Sequence, residues 1–276
     1  MTPVRIAAVQ MNSSDEPVRN LELAARLIEA SRQQGAALVV LPENFSVMPA
    51  TEKDRAAFAE TEGEGPVQAF LAAQAREHGI WIIGGTAPIR ARDGVRLNAA
   101  CLVFDAAGRL AARYDKIHLF DVEVSDGESY RESDAFEPGS AGDDNLVCVE
   151  TPAGRVGLSV CYDVRFPEMY RRLVDKGARI LSIPAAFTAT TGRAHWEPLL
   201  RARAIENQCY VVAPGQWGDH ASGRRTHGHT VIIDPWGRIQ AEQQTGDGVI
   251  VADMDLDALE DVRKRFPALA HRRFPS

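Results

Sequence analysis

The chain has little that would tie it to nucleic acid, membrane or metal. Its 276 residues carry 31 Lys and Arg against 38 Asp and Glu, a net charge of -7, without the basic balance of a nucleic-acid binder. No apolar run approaches the ~18 residues that a transmembrane helix needs. The opening MTPVRIAAVQMNSSDEP has no apolar stretch behind a basic one, so no secretory signal is expected. The four cysteines, Cys101, Cys148, Cys161 and Cys209, show neither CxxC nor Cys/His ligand spacing, which argues against structural zinc. They are also too few for a disulfide framework in a chain this long. Reduced thiols in a cytoplasmic protein are expected, with no metal site. Nothing low in complexity and no Pro/Gly/Ser linker divides the chain, so residues 1–276 are expected to form a single domain.

What is present is a series of short apolar runs separated by helical patterns. Residues 4–10, 36–41, 80–86, 98–104, 155–161, 179–183, 209–213, 229–233 and 249–253 read as strands, several of them apolar enough to be covered on both faces. Helices are expected over 17–34, 66–78, 167–176 and 194–206, the first three with Pro near the start and Gly just past the end. Residues 94–104 and 108–117 read as a meander. The alternation predicts an α/β protein with about ten strands in two packed mixed sheets and helices outside.

Residues 121–145 break the pattern. They hold nine carboxylates, at 121, 123, 126, 128, 132, 134, 137, 143 and 144, against one Arg. A loop longer than ~12–15 residues in a compact domain is either a functional lid or a solvated segment. Around it lie three residues at strand ends. Glu43 follows an apolar strand and Pro42, Lys116 closes a strand just before the acidic loop, and Cys161 stands between a strand and the helix opened by Pro167. Strand, sharp turn and helix is the layout of a nucleophile elbow. A thiol nucleophile needs a base, and a tetrahedral intermediate needs a cation or paired N–H donors. These three residues would supply them. His118 is a rival base, because it is two residues from Lys116 on the same strand face.

Leu41-Pro-Glu-Asn-Phe45, Tyr114-Asp-Lys-Ile-His-Leu-Phe120 and Ser159-Val-Cys-Tyr-Asp-Val-Arg-Phe-Pro-Glu168 resemble, in order and spacing, the three signature stretches of the nitrilase (carbon–nitrogen hydrolase) superfamily. The resemblance implies an α-β-β-α sandwich and a homodimer or higher homo-oligomer. It also implies a Glu-Lys-Cys triad of Glu43, Lys116 and Cys161 working without metal or organic cofactor. A second glutamate after the lysine is implied too: Glu132 fits best by position, and Glu128 stays a weaker alternative. The implied chemistry is attack of Cys161 on an amide carbonyl with Glu43 as base. Lys116 and the Tyr162 N–H would meet the oxyanion, and a thioester would be hydrolysed to acid plus ammonia. Ser182–Gly192, Leu200–Gln208 and His227–Gly237 resemble the branch acting on ω-amides of 2-oxo acids. The implied substrate is therefore a small carboxylate-bearing linear amide, deaminated glutathione or another 2-oxo acid ω-amide. N-carbamoyl amine hydrolysis, nitrile hydrolysis and an idle binding scaffold are the alternatives.

In an acidic protein such a substrate calls for a local cation. Arg165 is the candidate clamp, with a structural salt bridge to Glu168 or a loop acid as the plainer reading. Phe187 and Thr188 follow a strand end and could line the pocket or simply pack. His227 and His229 form an HxH, which reads as structural for want of further ligands.

Overall fold

The computed structural model describes residues 2–91, 94–125 and 127–274, so Asp126 of the acidic segment lies outside the described residues. Two mixed sheets form the centre. The first runs in the order Gly248–Met254, Val4–Gln10, Leu38–Val40, Trp81–Ile83, Leu97–Phe104 and Ala87–Arg90, with Leu110–Asp115 also paired to Leu97–Phe104. The second runs Ile239–Gln243, Thr230–Ile233, Tyr210–Ala213, Ile180–Ser182, Gly154–Leu158 and Cys148–Thr151. In each, three parallel strands are flanked by antiparallel ones.

Strand alternation explains the layering. Ile6 and Ala8 of the first strand, with Leu38 and Val40 of its neighbour, join a core cluster that includes Val156, Leu158 and Ile180 of the other sheet. The intervening Ala7, Val9 and Val39 pack with Ala24 and Ile28 of helix Pro17–Gln33 and with Leu71 and Ala75 of helix Pro66–His78. Both faces of these strands are buried, which is why they read as continuous apolar runs. Helices Pro167–Asp175 and Ala189–Asn207 contact the second sheet in the same way. The result is an α-β-β-α sandwich.

The structure departs from expectation mainly by addition. Ala87–Arg90, Cys148–Thr151 and Ile239–Gln243 are further strands, and Leu256–Arg265 is a further helix. These are edge strands and a surface helix whose apolar content is diluted by charge. The acidic segment is partly ordered as a hairpin, Asp121–Ser125 with Glu128–Arg131. A second hairpin pairs Trp217–Asp219 with Arg225–His227. The helix expected over 194–206 starts at Ala189, because Thr188 caps it by accepting from the Thr191 N–H at 3.2 Å.

Candidate active site

Parallel strands of the two sheets deliver Glu43 and Cys161 at their carboxyl ends, where open α/β sheets place ligands, and Lys116 arrives from the end of an antiparallel strand. Glu43 sits in a turn three residues past Leu38–Val40 and is buried. Its carbonyl accepts from Gln216 Nε2 at 3.1 Å, and the next residue's N–H donates to Thr86 Oγ1 at 2.9 Å. This turn lies close against Gly85, whose φ is +51°. A side chain at Gly85 would collide with the Pro42 carbonyl, so only glycine fits beside the turn.

Lys116 follows Leu110–Asp115 and is 2% exposed. Its ammonium donates to Glu43 Oε1 at 2.9 Å and to Glu132 Oε1 and Oε2 at 2.9 and 2.8 Å. Glu132, immediately after the acidic hairpin, also accepts from the Phe120 N–H at 2.7 Å. Glu128 points elsewhere, to Thr190 Oγ1 at 2.9 Å and Tyr130 Oη at 3.1 Å.

Cys161 opens a 3₁₀ turn, Cys161–Arg165, between Gly154–Leu158 and helix Pro167–Asp175. Its φ of +50° is left-handed, a conformation costing on the order of 1–2 kcal/mol in a non-glycine residue. Two contacts hold it there. Its N–H donates to the Pro184 carbonyl at 2.8 Å. Buried Asp163 accepts from the Val160 N–H at 2.8 Å and from Tyr114 Oη at 2.7 Å. Tyr162 is the second residue of the turn, so its N–H has no acceptor within the turn. The Cys161 thiol lies close enough to the Glu43 carboxylate for the two to perturb each other, and Glu43 Oε2 accepts from the Ala186 N–H at 2.8 Å.

The electrostatics follow from burial of a triplet of charges. Burial opposes ionisation of Glu43, but the Lys116 ammonium and its hydrogen bond prevail and hold the carboxyl below its ordinary range. Glu132 is pushed up by burial, with the nearby Glu43 charge adding to the push against Lys116. Burial would discharge Lys116, but the two carboxylates keep its ammonium protonated. Burial, then the Glu43 charge, pushes the Cys161 thiol well above its usual range. The resting site is thiol, carboxylate and ammonium.

These groups line a cavity of about 250 Å³, with Asn44, Arg55, Phe120, Tyr130, Tyr162, Phe187, Thr188 and Arg224 among the other walls. Arg165 is not among the lining residues. Its guanidinium stacks on the Tyr162 and Phe187 rings, 5.6 and 5.2 Å from their centroids, and Nη1 lies 3.2 Å from His195 Nδ1. The stacking of this side chain on two rings holds it away from the clamp position expected of it. His118 is also outside the walls. Its Nδ1 is 2.7 Å from Asp163 Oδ1 and its ring stacks on Phe166 at 3.7 Å.

Sequence reasoning missed Asp163, Ala186 and Arg224. Asp163 lies within Ser159–Glu168, and its signal in the sequence is a carboxylate two residues past the cysteine of a strand–turn–helix elbow. Arg224 is one of many arginines in a turn, and nothing local distinguishes it. His227 and His229 are stacked at 4.2 Å, but His229 precedes Thr230–Ile233 with a φ of +53°, so the pair does not share one strand face. Among the described residues, no group of three His, Cys, Asp or Glu is placed to hold a metal ion, and no helix is long and apolar enough to cross a membrane.

A deaminated glutathione amidase of Yersinia enterocolitica is 41% identical to this chain, covering 100% of it and 95% of its own length. Another, from Synechocystis, is 44% identical and covers 99% and 100%. The solved structure of the C. elegans NitFhit protein matches with a TM-score of 0.89 at 36% identity over 98% of this chain, which spans 65% of that longer protein. A model of the carbon–nitrogen hydrolase family matches residues 5–264, a span that holds both sheets and all three strand-end residues. By descent as well as by architecture, the chain belongs to the carbon–nitrogen hydrolase family.

Proposed function

We propose that this protein is a thiol amidase whose substrate is a small carboxylate-bearing linear amide, deaminated glutathione or a related 2-oxo acid ω-amide. The observation that carries it is the buried contact set of Cys161 thiol, Glu43 carboxylate and Lys116 ammonium in one cavity. The relatives named deaminated glutathione amidase support the substrate class.

Glu43 takes the thiol proton as Cys161 sulfur attacks the amide carbonyl, so the thiolate forms together with the new C–S bond. Lys116 and the Tyr162 N–H stabilise the oxyanion. The intermediate collapses as the protonated Glu43 gives its proton to the leaving nitrogen. The product is ammonia for a primary amide and cysteinylglycine for deaminated glutathione, whose amide nitrogen belongs to that dipeptide. Glu43 then removes a proton from water, which attacks the thioester, and the acid leaves with the thiol restored. Glu132 orients Lys116. Phe187, through its ring, and Thr188, at the head of its helix, shape the acyl pocket. Arg165 supports two of the aromatic walls and adds positive charge near the entrance.

The reading extends to a single hydrolase domain over residues 1–276, acting in the cytoplasm as a homodimer or higher homo-oligomer. Four free cysteines support a reducing compartment. Exposed Ile205, Trp236 and Phe266 support burial against a second copy.

The deciding experiment compares kcat/KM for deaminated glutathione, 2-oxoglutaramate, an N-carbamoyl amine and a nitrile. Highest kcat/KM on one of the first two is expected. Faster turnover of the nitrile or the carbamoyl amine would refute the reading. A second measurement tests the coupled carboxylates. In Glu132→Gln the like charge beside Glu43 is gone, so Glu43 ionises more readily. The acid limb of kcat/KM is expected at lower pH than in the wild type, with the plateau reduced roughly 10- to 100-fold. An acid limb moved to higher pH would contradict the charge arrangement.

A further inference from the structure

The cavity holds four cations, and three of them are engaged. Lys116 is held between Glu43 and Glu132. Arg55 donates to Asn44 Oδ1 at 2.9 Å and lies over the Phe136 ring. Arg131 is exposed and sits in the field of Asp121. Arg224 differs. Its guanidinium lies over the Tyr130 ring, 5.0 Å from the centroid, and its Nη2 donates to the Ala186 carbonyl. Among the described residues no carboxylate forms an ion pair with it, although its charge helps to keep Glu43 ionised, and its Nε is shielded from solvent with no hydrogen-bond partner. Of the buried side-chain atoms without a partner among the described residues, this is the one that a cavity-lining residue carries. A guanidinium offers five donors in a rigid fork, so most of its capacity is unspent.

Its mounting is rigid. The turn between Trp217–Asp219 and Arg225–His227 is closed by the His220 N–H donating to the Arg224 carbonyl at 2.9 Å. The hairpin is tied to the cavity wall by the His227 N–H donating to the Phe187 carbonyl at 2.9 Å and by pairing of Thr226 with Thr188. The residue it holds, Ala186, presents its N–H to Glu43 at 2.8 Å. One residue, through the carbonyl of one peptide and the N–H of the peptide before it, therefore links Arg224 to the reacting carboxylate.

We propose that Arg224 is the specificity residue that selects acyl groups ending in a carboxylate, by a charge-assisted contact to that carboxylate while the amide carbonyl lies over Cys161. The inference rests on the amidase reading of the same site. It replaces the stacked Arg165 with a cation in the wall itself, and it places recognition on the acyl side of the scissile bond rather than on the departing amine.

The test uses two amides that differ only at that end: 2-oxoglutaramate, and 4-oxopentanamide, in which a methyl group replaces the carboxylate. Neither has a carboxylate on the leaving nitrogen. Calorimetric Kd values are measured in the Cys161→Ala protein, with and without Arg224→Gln or Arg224→Lys, and kcat and KM are measured in the same Arg224 variants with Cys161 intact. Arg224→Gln is expected to weaken 2-oxoglutaramate binding roughly 10- to 100-fold and to raise KM in step. The effect on 4-oxopentanamide should stay within about threefold, and Arg224→Lys should restore part of the difference. Equal loss for both amides, or no loss for either, overturns the inference and leaves the amidase reading standing. Failure of the Cys161→Ala protein to bind either amide, together with no turnover by the wild type, overturns both.

Discussion

Cys161→Ala is expected to lower kcat by more than ~10⁴-fold on the best amide substrate, because among the described residues no other thiol lines the cavity to form the acyl intermediate. The other thiols are not substitutes. Cys101 and Cys209 are buried in the packed interior, where desolvation pushes both up to about 12. Cys148 is half-buried, and its thiol lies 3.6 Å from the Leu173 carbonyl. The variant should fold normally. Alanine tolerates the elbow backbone no worse than cysteine, and removal of one sulfur should change stability by no more than ~1 kcal/mol. Loss of turnover with an unchanged thermal midpoint and intact substrate binding is the expected set of results. Retention of more than about a hundredth of wild-type kcat would remove Cys161 from the chemistry.

Lys116→Ala should lose nearly as much activity, roughly 10³-fold or more in kcat, and it should also change the pH dependence of stability. In the wild type the ammonium satisfies two buried carboxylates at once. Without it, burial and mutual repulsion raise the folded-state pKa of Glu43 and Glu132 above their unfolded values. A raised carboxyl contributes stability that is fully present below the unfolded pKa and is lost as pH rises through the folded pKa. The variant should therefore be least impaired near pH 4 and increasingly destabilised toward pH 8, by roughly 3–5 kcal/mol relative to wild type at the upper end. Thermal unfolding of both proteins across that range measures the difference. A deficit that stayed constant with pH would mean that Lys116 is not the counterion of the pair.

Much of this was legible in the sequence because burial on two faces leaves a strong local mark. Val4–Gln10 and Leu38–Val40 are apolar at successive positions, since one set meets the opposite sheet and the other meets the helices. Glu43 and Cys161 stood out at the ends of such runs, and Lys116 at the end of the strand that leads into the acidic segment. What was not legible depends on contacts across long sequence separations. Arg224 becomes part of the cavity through its hydrogen bond to Ala186, 38 residues away. Arg165 lies close to Cys161 in sequence, but stacking on Phe187 and Tyr162 diverts it. The acidic segment gave no periodic signal because its hairpin is short and exposed, yet that hairpin delivers Glu132 to Lys116.

The enclosure of Cys161 has a consequence for its exposure to cellular chemistry. A free thiolate is attacked by peroxide and by alkylating metabolites, whereas a protonated, buried thiol resists both. In the mechanism proposed above, the proton leaves sulfur as an acceptor carbonyl settles where Lys116 can take up its negative charge. On that reading the thiol is latent, released by the shape of its own substrate, and slow reaction with peroxide in the absence of substrate is the expected consequence.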